Sequence, residues 1–124
     1  MRVRIAVVAA VASLGTAGAA MAFTPAATPT LNGTVGPGFT ITLKDSKGKK
    51  VTSLKAGTYK FVITDKADIH TFDLAETKGG HFHKELTSDV FKGKKTVTVK
   101  LTKGSWQYYC AVHPTEMFGN FKVT

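Results

Sequence analysis

One short stretch near the carboxyl end of the chain carries three side chains that bind soft metal ions. Cys110, His113 and Met117 follow a run rich in aromatic residues and precede Gly119. Alternation along that run puts Trp106 and Cys110 on one face of the expected strand. The residues between Cys110 and Gly119 therefore form a loop that offers a thiolate, an imidazole and a thioether at one end of the fold.

A second imidazole completes the candidate set. His70 stands forty residues before Cys110, near the start of an expected strand over residues 69–74. A histidine in that position is usually a surface residue, so its assignment as a ligand depends on the loop. Two imidazoles with a thiolate and a thioether favour copper over harder ions. Two His and one Cys with a weak axial Met form the arrangement of blue-copper electron-transfer sites.

Other chemistries fit only part of this set. Zinc accepts Cys and His but has little use for the thioether of Met117. An acyl-transfer nucleophile at Cys110 would need an oxyanion hole and a substrate cleft, for which the sequence shows no sign. Glu116 is an alternative ligand to Met117, although adjacent loop residues seldom point the same way. Cys110 as an inert thiol and Met117 as core filler are the plain structural alternatives.

At these residues the chain resembles the cupredoxin (type 1 blue copper) family, in particular its plastocyanin-like and amicyanin-like members. The family's ligand loop runs Cys, two residues, His, a few residues, Met and then Gly, and the resemblance covers about residues 39–124. It implies one copper ion, with His70 as the upstream ligand and Cys110 as the strongly bound thiolate. It further implies that electrons pass through a partly exposed His113 and that Met117 is the weak axial ligand.

The sequence departs from the family pattern beside both histidines. The family often has Asn after the upstream His and Pro before the loop His, whereas this chain has Thr71 and Val112, with Pro114 after His113. Pro114 lacks a backbone N–H and so removes one donor near the sulfur. Because hydrogen bonds around the ligands tune such metals, these departures bear on the reduction potential rather than on ligation.

Two further histidines lie outside the candidate centre. In a strand, the side chains of His81 and His83 would point the same way and could hold a second metal ion. Gly79 and Gly80 precede the pair, which favours a flexible and exposed loop. We expect a solvated loop here, with a second metal site as the alternative.

Apolar residues recur at every second position over much of the chain from Phe39 onward, and Lys-Gly turn signals separate the runs. The predicted strands span residues 39–43, 59–63, 69–74, 97–101, 106–110 and 120–123. No helical period is sustained, although residues 76–90 leave room for one short helical turn. Short strands at this spacing predict an all-β fold, and we expect an antiparallel Greek-key β-sandwich of the cupredoxin kind.

The amino-terminal segment has the pattern of a targeting signal. Arg2 and Arg4 precede an apolar run that ends in Ala20-Met21-Ala22, a sequence of the kind that signal peptidases accept. We predict a cleaved signal peptide over 1–22, a linker arm over 23–38 and one copper-binding domain over 39–124. An uncleaved anchor is the alternative, although a membrane span needs about 20 strongly apolar residues.

The cysteine and charge composition indicates which classes of partner to expect. In an exported protein cysteines usually pair, so a solitary Cys110 is expected to be metal-bound, free or bridged to another molecule. Without Arg2 and Arg4 every cation is lysine and the formal net charge falls from +9 to +7. We expect these lysines to keep strand faces soluble, or to steer the protein toward an acidic redox partner or an anionic membrane. Nucleic acid is not expected as a partner, because its binders usually recruit arginine.

The predicted function is that of a monomeric, periplasmic or secreted carrier that moves one electron between partner proteins. Such a carrier has no small-molecule substrate and is not an enzyme. A copper chaperone or storage protein is one alternative, but two of the three methionines, Met1 and Met21, fall in the predicted signal. A mononuclear copper oxidoreductase is the other, but the related oxidases and nitrite reductases need more histidines than the four present.

Overall fold

A computed structural model of the protein describes residues 15, 18 and 26–124. The described part of the chain forms β-strands and no helix. The strands are β1 Thr30–Val35, β2 Ile41–Asp45, β3 Ser53–Leu54, β4 Gly57–Asp65, β5 Phe72–Lys78, β6 His83–Thr87, β7 Gly93–Leu101, β8 Gly104–Tyr109 and β9 Phe118–Val123. The predicted signal peptide lies outside the described residues, apart from Gly15 and Gly18. Within the described ranges, no helix of the length and hydropathy needed to cross a membrane occurs.

The strands form two sheets that pack face to face. One sheet has the order β2-β1-β4-β7 and the other the order β3-β9-β8-β5-β6. The predicted all-β sandwich is confirmed, but the sheets are mixed rather than purely antiparallel. β1 pairs parallel to β4, and β3 pairs parallel to β9. The first parallel pair arises because β2 reverses the chain between β1 and β4, so these two strands run in the same direction.

The predicted arm over 23–38 needs correction, because its second half contains β1. This strand is an inner strand, paired with β2 on one side and β4 on the other. Its apolar alternation is interrupted at Gly33, where an added Cβ would lie 2.5 Å from the side chain of Ile63 and 2.8 Å from that of Phe72. The domain therefore begins by residue 30 rather than at residue 39.

The segment between residues 76 and 90 forms neither a helical turn nor a long open loop. β5 continues to Lys78, and β6 returns antiparallel beside it from His83 onward. β6 is the edge strand of its sheet, and its first three residues are exposed. With these residues exposed, β6 lacks the buried alternation by which the other strands were predicted.

The hydrophobic core fills the space between the two sheets. Its largest fully buried side chains include Trp106, Tyr108, Phe61, Phe72 and Leu74. Four connections meet at one end of the sandwich, which we call the upper pole: residues 36–40, 66–71, 88–92 and 110–117. The opposite end is the lower pole. The candidate ligands all belong to the upper pole.

Candidate metal centre

Two connections of the upper pole bring three ligand atoms together. His70 precedes β5, while Cys110 and His113 belong to the loop between β8 and β9. The Nδ1 atoms of the two histidines lie 3.2 Å apart. The Cys110 Sγ lies 3.8 Å from each of them. Three of the four predicted ligand residues therefore converge.

The spacing of these three atoms fits a bound metal ion. The point equidistant from them lies about 2.1 Å from each, and metal bonds to His nitrogen and Cys sulfur are about 2.0–2.3 Å. His70 and Cys110 are fully buried, and His113 is half-buried. In the part of the chain that the structure describes, no other group of three His, Cys, Asp or Glu residues is so placed.

Main-chain hydrogen bonds close the ligand loop into a compact turn. The Cys110 N–H donates to the carbonyl of Met117 at 2.9 Å, and the Met117 N–H donates to the carbonyl of His113 at 3.0 Å. The His113 N–H donates to the carbonyl of Cys110 at 3.2 Å. The three-residue spacing of Cys110 and His113 thus corresponds to a tight turn that returns the imidazole to the sulfur.

Met117, the fourth predicted ligand, is fully buried at the base of this loop. Its backbone is fixed beside the centre by its hydrogen bonds to Cys110 and His113. Glu116, which we weighed as an alternative ligand, is exposed and does not belong to the ligand cluster. The axial role of Met117 stays a prediction.

Thr71 connects the two segments that carry the ligands. Its backbone N–H donates to the Cys110 Sγ at 3.3 Å, and its Oγ1 accepts a hydrogen bond from the Ala111 N–H at 2.7 Å. Thr71 is only 3% exposed, so water does not compete strongly for these bonds. The sequence marked Thr71 as a departure from the family pattern, but only the fold reveals that it links the two ligand segments.

Phe39 covers the two histidines from the connection between β1 and β2. The centroid of its ring lies 4.7 Å from that of His113 and 6.0 Å from that of His70, edge to face in both cases. We predicted Phe39 as an inward residue of a strand, but it is 59% exposed. A turn closed by a hydrogen bond from the Gly36 N–H to the Thr40 carbonyl includes Phe39, and β2 begins after that turn.

Exposed apolar side chains adjoin the ligands at the upper pole. Ile69 precedes His70 and is 55% exposed, while Val112 precedes His113 and is 50% exposed. Together with Phe39 they form what we call the apolar rim. Singly exposed apolar residues are ordinary, but three that adjoin the two histidines make a surface from which water is readily displaced.

A buried carboxyl group lies at the end of β4 near the centre. Burial raises the pKa of Asp65, while hydrogen bonds from the Thr87 hydroxyl at 2.9 Å and the Ala67 N–H at 3.3 Å oppose the rise. The nearby charge of His70 also opposes it. Asp65 therefore ties the β4 end to β6 while remaining outside the ligand cluster.

His83 binds a carboxylate rather than lying in a solvated loop. Its Nε2 lies 2.9 Å from the Oδ2 of Asp73, whose side chain is almost fully buried. The imidazole also stacks on Tyr109, and burial together with the charge of Asp73 raises the pKa of that phenol. Neither His83 nor His81 belongs to a three-ligand cluster among the described residues. The expected solvated loop thus holds for His81 but not for His83.

Comparison with known proteins gives structural matches only. No family model matches the sequence, and no curated protein matches it. Rusticyanin, a copper protein, aligns over 77% of this chain and 76% of its own, with 22% identity and a TM-score of 0.52. Reduced rusticyanin aligns over 77% and 78%, with 22% identity and a TM-score of 0.51. An oxidized mutant of amicyanin aligns over 81% and 95%, with 12% identity and a TM-score of 0.49.

The matches to rusticyanin agree with what the strands themselves form, an all-β sandwich with its candidate ligands at one pole. The identities of 22% establish likeness of fold. The fold that the ligand loop implied is thereby confirmed, and the chain is a protein of the cupredoxin fold.

Proposed function

We propose that the protein is a mononuclear blue-copper carrier that takes one electron from one partner protein and passes it to another. The triangle formed by the Nδ1 atoms of His70 and His113 and the Sγ of Cys110 carries this proposal. A thiolate with two imidazoles, and a buried thioether residue in the same loop, favour copper over zinc. The likeness to rusticyanin, a copper protein, supports the same ion.

The residues around the centre would hold the ligands in one arrangement in both oxidation states. Copper, when bound, would supply the one-electron couple between Cu(II) and Cu(I). Thr71 fixes the sulfur of Cys110 relative to the segment of His70, and the turn hydrogen bonds fix His113. Because these hydrogen bonds form without the ion, they would hold the ligands in place, and the site would change shape little on electron transfer. Met117 would be the weak axial ligand.

His113 is the proposed exit for the electron. It is the half-buried member of the triangle, whereas His70 and Cys110 are fully buried. The apolar rim would let a partner approach His113 with little tightly held water between them. No covalent bond forms or breaks in this transfer, so we propose a carrier rather than an enzyme.

We further propose that the carrier acts outside the cytoplasm, after cleavage of the predicted signal over 1–22. Cys110, the single cysteine of the sequence, is buried and free of any disulfide. A free thiol is unusual in an oxidising compartment, and ligation to copper accounts for it. The proposed partners are redox proteins that meet the monomer at the upper pole.

Copper loading of the purified protein tests this function. We expect one copper ion per chain and an intense blue colour, which a reductant bleaches and an oxidant restores.

Cys110→Ser should abolish the colour. Met117→Leu, which conserves volume, should keep the colour and change the reduction potential. His81→Ala, outside the centre, should alter neither. A colourless copper complex, or a copper ion that readily binds azide, would contradict the proposal.

A further inference from the structure

The outer face of the sheet β2-β1-β4-β7 is basic and has no acidic side chain. Strand alternation and the register of the three strand pairs determine which residues point outward from it. Its cations are Lys44, Lys60, Lys94 and Lys100. Its other residues are Thr30, Thr34, Thr42, Thr58, Thr64, Thr96 and Thr98, with Asn32 and Val62. We call this surface the lysine face.

The outer face of the other sheet has a mixed charge. Asp73 and Glu85 lie opposite each other on β5 and β6, and His83 binds the carboxylate of Asp73. Lys122 points outward from β9, where it pairs with Ser105. The sandwich therefore has one side on which positive charge is not neutralised locally, and one side on which both signs occur.

The lysine face does not suit a partner that exchanges electrons with the centre. His113 belongs to the loop between β8 and β9, which are strands of the other sheet. The upper pole, where that loop lies, exposes three carboxylates and two lysines, those of Asp68, Asp89, Glu116, Lys66 and Lys92. An acidic redox protein bound to the lysine face would hold its own centre to the side, away from the exit. The lysine face fits an anionic surface that anchors the protein while leaving the upper pole free.

We propose that the lysine face is an attachment surface for the anionic headgroups of a lipid bilayer. β4 and β7 have nine residues each, so the face is about 30 Å long and about 15 Å wide at ordinary strand spacings. Threonine side chains are short, the four lysines are exposed, and none of them forms an ion pair with a described residue. Val62 is the single apolar residue on the face, so attachment is electrostatic and reversible and does not involve insertion.

Sedimentation with vesicles tests this attachment, and metal-free protein is used so that the result does not depend on the copper centre. We expect binding to vesicles of phosphatidylcholine with phosphatidylglycerol, no binding to phosphatidylcholine alone, and release as salt is raised. A variant with Lys44→Gln, Lys60→Gln, Lys94→Gln and Lys100→Gln should bind several hundredfold more weakly. This estimate assumes that each lysine at an anionic surface contributes roughly fivefold to the binding affinity.

A matched variant distinguishes the effect of the lysine face from the effect of net charge. Lys47→Gln, Lys49→Gln, Lys55→Gln and Lys103→Gln remove the same charge from turns at the lower pole, and this variant should bind like the parent protein. Equal urea midpoints would establish that both variants are folded. The proposal would be overturned if both variants lost vesicle binding to the same extent, or if the parent protein did not bind the anionic vesicles. Retention of the parent protein on immobilised polyglutamate through the lysine face, without vesicle binding, would assign the face to an acidic protein instead.

Discussion

A single residue, Thr71, sets the position of the sulfur relative to the upstream ligand. Its N–H donates to the Cys110 Sγ. Its hydroxyl oxygen accepts a hydrogen bond from the N–H of Ala111, the residue that follows Cys110. The two bonds hold the end of β8 against the segment that precedes β5. The distance between His70 and Cys110 therefore depends on a residue that binds no metal.

Replacing Thr71 tests this coupling. Thr71→Val keeps the branched shape but leaves the Ala111 N–H without its acceptor, which we expect to lower the free energy of unfolding by about 1 kcal/mol. Thr71→Ser keeps the hydroxyl and should lower the free energy of unfolding by a smaller amount. Urea unfolding of the metal-free proteins measures both values. If the valine variant is as stable as the parent protein, the hydroxyl does not connect the two segments.

Cys110 and His113 were predictable because their spacing encodes local structure, whereas His70, forty residues upstream, was assigned through the resemblance to the family. Cys110 and His113 are three residues apart, and two residues at this spacing lie close together in a tight turn. The hydrogen bonds of the loop confirm such a turn. The roles of Phe39 and Thr71 were not predictable in this way. Each contacts ligands that lie far away in sequence, so the contacts exist only once the order of the strands is known.

At the scale of elements, the packing between β8 and β9 holds the ligand loop at its base. Tyr108 on β8 pairs with Gly119 on β9. The tyrosine ring occupies the space that a side chain at Gly119 would need, and it stacks on Phe72 with centroids 5.9 Å apart. The ring therefore has little freedom to move aside, since the core is close-packed.

A methyl group at Gly119 should disturb this packing. We expect Gly119→Ala to lower the free energy of unfolding by about 1–3 kcal/mol, the usual cost of overpacking. Gly38→Ala is the matched control, because a Cβ at that position meets nothing within 4 Å. Thermal unfolding of the two variants measures the difference. Similar midpoints would mean that the ring of Tyr108 yields easily.

The elements differ in how clearly the sequence predicts them. The inner strand β4 and the edge strand β7 bury every second residue over part of their length, so their apolar period is visible. β1 was missed because Gly33 interrupts its period where the sheets approach closely. β6 was missed because its first three residues are exposed and show no buried alternation. The parallel pairing of β1 with β4 follows from topology rather than from either strand alone.

At the scale of the whole molecule, positive charge is unevenly distributed. The lysine face covers one side of the sandwich, while the upper pole combines the apolar rim with three exposed carboxylates and two exposed lysines. Two molecules that exchange an electron through His113 would have to bring their upper poles together. Contact between apolar rims keeps the strongly positive sides apart, and so lowers the repulsion expected from the net charge.

A charge placed in the rim should therefore slow electron self-exchange. Val112→Lys puts two ammonium groups at the contact of two poles, and like charges in contact cost roughly 1–4 kcal/mol, which corresponds to a loss of about tenfold or more in rate. Val90→Lys changes net charge equally at another exposed valine of the upper pole, one that flanks no ligand. NMR line broadening in mixtures of reduced and oxidised protein measures the rates. If both variants slow exchange to the same extent, net charge governs the encounter and the rim is not the contact surface.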